Sequence, residues 1–193
     1  MSAQPIAEFW KRKRSADTAV LLGKGPSLDA YPGRPDDVAY VMGINEVPFA
    51  VPCDGVVFMD GPLRKAPFPD ALDLFRYKYA DTHNGRGYYW RTGSEVSSDD
   101  PCRMVINPGS CGNACFAVTI LATWGIRRLL LWGFDSIWGD AESYDSVYAE
   151  RVKPHIQPGR GLPYEYGERG LRLVATLAYY KIDWSHFGKV CVH

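Results

Sequence analysis

The apolar positions of this chain gather into short unbroken runs rather than long stripes. Ala19–Leu22, Val38–Asn45, Gly55–Asp60, Arg103–Ile106 and Arg128–Trp132 are each dominated by Val, Ile, Leu, Met or aromatic residues and are bounded by Gly, Pro, Asn or Asp. Runs of that length with turn residues at both ends predict strands buried on both faces of a sheet. A last strand is predicted near Lys181–Trp184. Two longer segments, about Ala114–Trp124 and about Tyr166–Tyr180, predict helices, and a short helix is read around Ile6–Trp10. Residues 61–102 are rich in turn formers, charges and aromatics, and their weak periodicity defines no element. Residues 136–165 form a second polar and aromatic stretch that could include a lid. Loops of more than about 12–15 residues are uncommon unless they carry function, so specificity is expected in these two variable segments.

Short apolar strands alternating with helices predict an α/β fold. The expected architecture is a single Rossmann-like domain over residues 18–193, preceded by a polar N-terminal arm, residues 1–17. Its sheet is expected to be largely parallel, with helices on both faces. A chain of 193 residues with 46% hydrophobic content can bury one sizeable core. The 22 basic and 22 acidic residues cancel, which excludes a global electrostatic grip on nucleic acid but not a local patch. The five cysteines contain no Cys-x-x-Cys pair and no His/Cys metal spacing. Such an odd, scattered set suggests reduced thiols and a cytoplasmic protein. The charge-free stretch Met104–Ile126 is broken by Asn107, Pro108, Gly109 and Asn113, leaving a core helix rather than a membrane span. Lys11–Arg14 is not followed by an apolar leader with a cleavage site.

The first strand runs directly into Gly23-Lys24-Gly25-Pro26-Ser27. Glycines allow close backbone approach, and successive N–H groups in such a turn form a concavity for anions. Lys24 adds a point charge. This pattern suits the phosphates or ribose-phosphate edge of a nucleotide, although an ordinary tight turn has the same composition. It is neither a Walker loop, which needs Gly-Lys-Ser/Thr, nor the dinucleotide fingerprint, whose third glycine position holds Leu28. Ligands of parallel sheets bind beyond the carboxyl ends of the strands. That edge should gather Gly23–Ser27, Asn45–Glu46, Asp60–Gly61, Asn107–Asn113 and Gly133–Asp135.

The ordered combination of Gly23-x-Gly25-Pro26-Ser27-Leu28, Gly43-Ile44-Asn45, Ser110-Cys-Gly-Asn113 and Trp124-Gly125-Ile-Arg-Arg-Leu-Leu-Leu-Trp-Gly133-Phe-Asp135 resembles one known set of proteins. It is similar to the bacterial sialyltransferases of the Campylobacter type, with the related motility-associated flagellin glycosyltransferases and archaeal hydroxymethylpterin diphosphokinase-like proteins. The resemblance spans about residues 18–135 and, more weakly, the last helix and strand. It implies that Gly23, Gly25, Pro26, Ser27, Asn45, Ser110, Gly112 and Asn113 face the nucleotide of a nucleotide-sugar donor. It also implies that tyrosines of the variable segment, among them Tyr144 and Tyr148, hydrogen-bond the donor phosphate. The resemblance places a histidine general base in that same segment. His155 is the histidine there, and an unperturbed imidazole pKa of ~6.5 suits proton transfer near neutrality. Asp135 and Glu165 are the alternative bases, while His83 and His186 are weaker candidates. The family commonly has Asn where this chain has Lys24, which replaces an amide contact by a charge and leaves the donor nucleotide open.

No Asp-x-Asp pair stands where metal-dependent glycosyltransferases use one, so the expectation is a metal-independent glycosyltransferase without a cofactor, the nucleotide-sugar being a substrate. The acceptor is open among a glycan, a protein and a modified DNA base. For the last, Tyr88–Arg91 and Lys11–Arg14 would supply the nucleic-acid contacts. Two alternatives compete. One is a diphosphokinase-like transferase using Mg²⁺ held by Asp60 and Asp135; the other is a non-catalytic nucleotide-binding module.

Overall fold

The structure, a computed structural model, describes residues 16–58, 68–69, 72–79, 87–91, 105–106, 112–135 and 163–187. Eight strands form one sheet: β1 Thr18–Leu22, β2 Tyr40–Ile44, β3 Gly55–Phe58, β4 Asp73–Tyr79, β5 Gly87–Arg91, β6 Val105–Ile106, β7 Arg128–Trp132 and β8 Asp183–His186. Their spatial order is β6-β5-β4-β3-β2-β1-β7-β8. The six strands from β4 to β8 across β1 are mutually parallel, and β5 and β6 extend that sheet antiparallel to their neighbours. The fold is therefore α/β and Rossmann-like, with a largely parallel sheet.

Strand β1 lies at the centre between β2 and β7, and all five of its residues are buried. The chain first steps from β1 through β2 and β3 to β4, then restarts on the other side of β1 at β7 and steps outward to β8. Parallel crossovers are right-handed, so opposite directions of travel put the connections on opposite faces. The cores obey this rule. Ala19, Leu21, Met42, Val57, Leu129 and Leu131 pack under helices α1 (Asn113–Thr123) and α2 (Pro163–Tyr179), with Phe116, Ile120, Leu173 and Leu177. Val20, Leu22 and Val41 face the other way, under 3-10 segments Pro26–Ala30 and Val47–Phe49, with Leu28, Val47 and Val51. Among the described residues, both α-helices lie on the first face and short 3-10 turns cover the second. Among the same residues, no helix is long and apolar enough to cross a membrane.

The two helices end in the same way. Gly125 (φ +83°) donates to Ala122 O and Ile126 to Leu121 O; Lys181 (φ +53°) donates to Ala178 O and Ile182 to Leu177 O. Each pair of bonds is a Schellman closure, which satisfies the last helical carbonyls through one left-handed residue. Lys181 is thus a helix terminator, and the final strand begins at Asp183, two residues later than its pattern suggests. The remaining predicted elements match within a few residues, Arg128–Trp132 in full. β4 and β5 fall in the stretch whose periodicity defined no element. The Ile6–Trp10 helix and most of the 136–165 segment lie outside the described residues.

On the 3-10 face, Asp54 fastens the start of β2 to β3. Its Oδ2 accepts from Val41 N at 2.8 Å, its own N–H donates to Val41 O at 2.9 Å, and Arg34 grips its carboxylate. Beside it, burial pushes the Cys53 thiol up to about 12, with the Asp54 charge adding to the effect. Burial also pushes the Tyr31 phenol up to about 12. The Tyr31 hydroxyl is sealed from solvent with no hydrogen-bond partner among the described residues.

Two stability predictions follow from this geometry. Lys181→Gly removes the side-chain strain of a left-handed position, about 1–2 kcal/mol, partly offset by glycine's chain entropy. Urea unfolding should show a net gain of about 0.5–1 kcal/mol. Cys53 and Tyr31 hold their protons more tightly folded than unfolded, so stability is complete below about pH 9 and falls as pH rises towards 12. Tyr31→Phe should leave neutral-pH stability unchanged or higher and shrink the loss above about pH 10, read from unfolding midpoints across that range.

Candidate functional site

At the carboxyl edge, β1 and β7 are bound together by the loops that follow them. Gly23 N donates to Trp132 O and Gly25 N to Gly133 O, both at 2.7 Å. The Ser27 N–H and hydroxyl both donate to Asp135 Oδ2, at 3.0 and 2.8 Å, while Gly133 N donates back to Ser27 Oγ at 2.8 Å. The donors of the glycine turn that suit an anion are thus largely spent on the neighbouring loop, and the Asp135 carboxylate is the anion they hold. The Ser27 hydroxyl, donating once and accepting once, is a structural link.

The glycines have a matching explanation. A Cβ on Gly23 would collide with the Gly133 carbonyl oxygen, and one on Gly133 (φ +73°) with that of Gly23. A Cβ on Gly25 would collide with Asp135 Oδ2 and lie 2.9 Å from Gly133 O. Close approach is needed here, but between two backbones of the same chain. Pro26 opens the 3-10 turn at a position whose N–H has no helical partner.

Beside this clasp, the end of β2 meets the start of α1. Asn45 has a left-handed backbone (φ +55°), and its N–H donates to Val57 O at 2.9 Å. That kink brings its side chain to Asn113, the first residue of α1, whose Nδ2 donates to Asn45 Oδ1. The Asn113 Oδ1 atom is buried with no partner among the described residues. The residue before it, Gly112, caps α1 without a side-chain hydrogen bond, and no acidic residue lies in the first turn. Among the described residues, no atom lies within 4 Å of a Cβ built on Gly112. The positive end of the α1 dipole therefore meets an amide pair.

Lys24 completes the corner. Its ammonium lies 2.9 Å from Glu46 Oε2, and the Glu46 side chain is only 5% exposed. Among the described residues one of its three ammonium donors is used, and the charge is fixed in place between the ends of β1 and β2. Glu46 is a polar residue directly after an apolar run, the one sequence signal that it belonged to this edge.

The structure brings Gly23, Lys24, Gly25, Pro26, Ser27, Asn45, Gly112, Asn113 and Asp135 to one edge. Asp60, Ser110, Tyr144, Tyr148 and His155 lie outside the described residues. Glu165 belongs to the first turn of α2, whose direction against the sheet puts that turn at the same edge. His186 ends β8 there, paired in register with Leu131. Burial pushes the His186 imidazole below its ordinary range, and the Asp135 charge acts in the opposite sense. No protein-family model matches the chain, and no curated protein or solved structure does either.

The loop clasp makes Gly25→Val a test of structure before ligand binding. The branched side chain has to displace Asp135 and the Gly133 carbonyl, an overpacking cost of about 1–3 kcal/mol. The variant should melt earlier than the wild type with no ligand present. An unchanged melting temperature would mean that the clasp is dispensable.

Proposed function

We propose that this protein is a transferase that binds a nucleotide-sugar and moves the sugar to an acceptor hydroxyl. The nucleotide would lie across the carboxyl edge, where the chain leaves β1 towards β2 on one side and returns at β7 on the other. Such reversals of strand order open a crevice in α/β sheets. The observation that carries the reading is the Asn45–Asn113 pair at the uncapped start of α1, with a buried amide oxygen awaiting a donor. A nucleoside supplies that donor through a ribose hydroxyl or a base N–H. Its phosphate would be met by the positive end of the α1 dipole.

The division of labour follows from charge. In the transfer, the acceptor oxygen forms a bond to the anomeric carbon while the bond from that carbon to the phosphate oxygen breaks. The electron pair leaves with the nucleotide. Lys24, held by Glu46, and the N-terminal dipole of α1 meet this developing charge as fixed groups that need no reorganisation. With Asp135 occupying the donors of Ser27, the phosphate belongs nearer α1 than the heart of the glycine turn. This arrangement differs from the phosphate cradle that the turn suggests by itself.

A thermal-shift panel of CMP, UDP, GDP, ADP and their sugar conjugates tests the reading. A ligand present at 100 times its Kd adds about 2.7 kcal/mol of stability, so one nucleotide series should raise the melting temperature distinctly. Asn45→Ala should weaken that ligand by about 1–3 kcal/mol, the usual cost of an orphaned buried polar partner. Silence across the whole panel would defeat the proposal.

A further inference from the structure

Helix α2 turns Leu173 and Leu177 into the core. Successive helical residues are rotated by about 100°, so Ala175 lies almost opposite those leucines. Leu171 and Tyr179 stand about 40° to either side of Ala175, one turn before it and one turn after. Leu171 is 73% and Tyr179 80% exposed, the two most exposed large apolar side chains among the described residues. Ala175 and Ala178, also exposed, lie between them. Arg172 flanks this line, and the Thr176 hydroxyl is turned back on the helix, donating to Arg172 O at 2.7 Å. The outer face of an amphipathic helix ordinarily carries charged and polar residues. Here an apolar line faces outward over more than two turns, and apolar positions aligned in this way mark a contact surface more than singly scattered ones do.

We propose that this line is the seam of a homodimer, in which α2 packs antiparallel on α2 of a second copy about a two-fold axis at Ala175. The order large, small, large along Leu171, Ala175 and Tyr179 is its own complement under that rotation. Ala175 meets its counterpart, and the small side chains let the helix axes approach to about 8 Å. Leu171 of one copy and Tyr179 of the other then reach the same level from opposite sides of the seam, so they pass and cover each other rather than collide. Charge obeys the same symmetry. Glu168 stands on the outer line one turn ahead of Leu171, and Lys181, which is exposed, follows the last turn. The antiparallel arrangement sets the Glu168 end of each copy beside the Lys181 end of the other, twice over. A foreign partner requires no such internal symmetry, and this self-complementarity in size and charge is what assigns the seam to a second copy. The inference is independent of the nucleotide reading.

Sedimentation of the full chain over about 1–500 µM tests the proposal. One helix pair is at the small end of specific interfaces, so the mass should rise from monomer towards dimer with a midpoint on the order of 10–100 µM. Leu171→Glu and Tyr179→Glu change exposed positions and should leave the melting temperature of the dilute protein unchanged while weakening association by about tenfold or more. Lys181→Glu should weaken it too, and adding Glu168→Lys to that variant should restore it. Ala175→Cys reports the axis directly: its two α-carbons should fall within the roughly 4.4–6.8 Å that a disulfide spans, so mild oxidation should give a covalent dimer that the wild type, with its own cysteines, does not. A monomer at every concentration overturns the proposal and leaves the outer line of α2 to another segment of this chain or to a foreign protein. A dimer indifferent to both Leu171→Glu and Tyr179→Glu, or one that Ala175→Cys fails to cross-link, also overturns it, because the seam then lies elsewhere.

Discussion

The contact on which the molecule depends is the approach of two backbones, Gly23 at the end of β1 and Gly133 at the end of β7. Neither position has room for a Cβ, and Gly133 has the left-handed backbone that glycine accepts without strain. The loops then exchange backbone and side-chain hydrogen bonds from Gly23 to Ser27 and from Trp132 to Asp135. This seam joins the two halves of the sheet, which the chain lays down separately on either side of β1. It also sets the floor of the candidate site, because whatever sits at the switch in strand order rests on these loops.

The handedness of parallel crossovers accounts for the contrast between the two faces. Travel from β1 to β4 and travel from β7 to β8 require connections on opposite sides. On one side, two long helices bury Leu21, Met42 and Leu131; on the other, short 3-10 turns suffice to cover Val20, Leu22 and Val41. The same rule places the start of α1 over the end of β2, where Asn113 meets Asn45. A helix apolar all round, as α1 is, can be stable there because it is enclosed, and its eight residues Cys115–Ala122 are all buried.

Electrostatics at this edge is arranged in internal pairs. Lys24 answers Glu46, and the donors of Ser27 answer Asp135. Buried charges without partners are costly, so pairing is what permits so many polar groups beside a dry core. Pairing also holds these groups in fixed positions beside the start of α1 and the buried oxygen of Asn113.

Much of the fold was legible in the residues themselves. Ala19–Leu22 and Arg128–Trp132 read as strands because central parallel strands must be apolar on both faces, and that demand is written locally. β4 and β5 were not legible, since strands towards the edge mix Arg76, Lys78 and Arg91 among their aromatics and leave no unbroken run. Lys181 looked like strand because nothing in its type signals the left-handed turn that the carbonyls of Leu177 and Ala178 impose. At the site, the sequence by itself determined which residues are small, amide or charged, and that they stand at strand ends. Only the tertiary structure decided their partners. The two glycines of the turn make room for β7's loop, Asp135 is a clasp for Ser27, and Lys24 belongs to Glu46. Those assignments join residues as much as 108 positions apart, and hydrogen bonds and steric exclusion at that range depend on the order of strands, which no local pattern records.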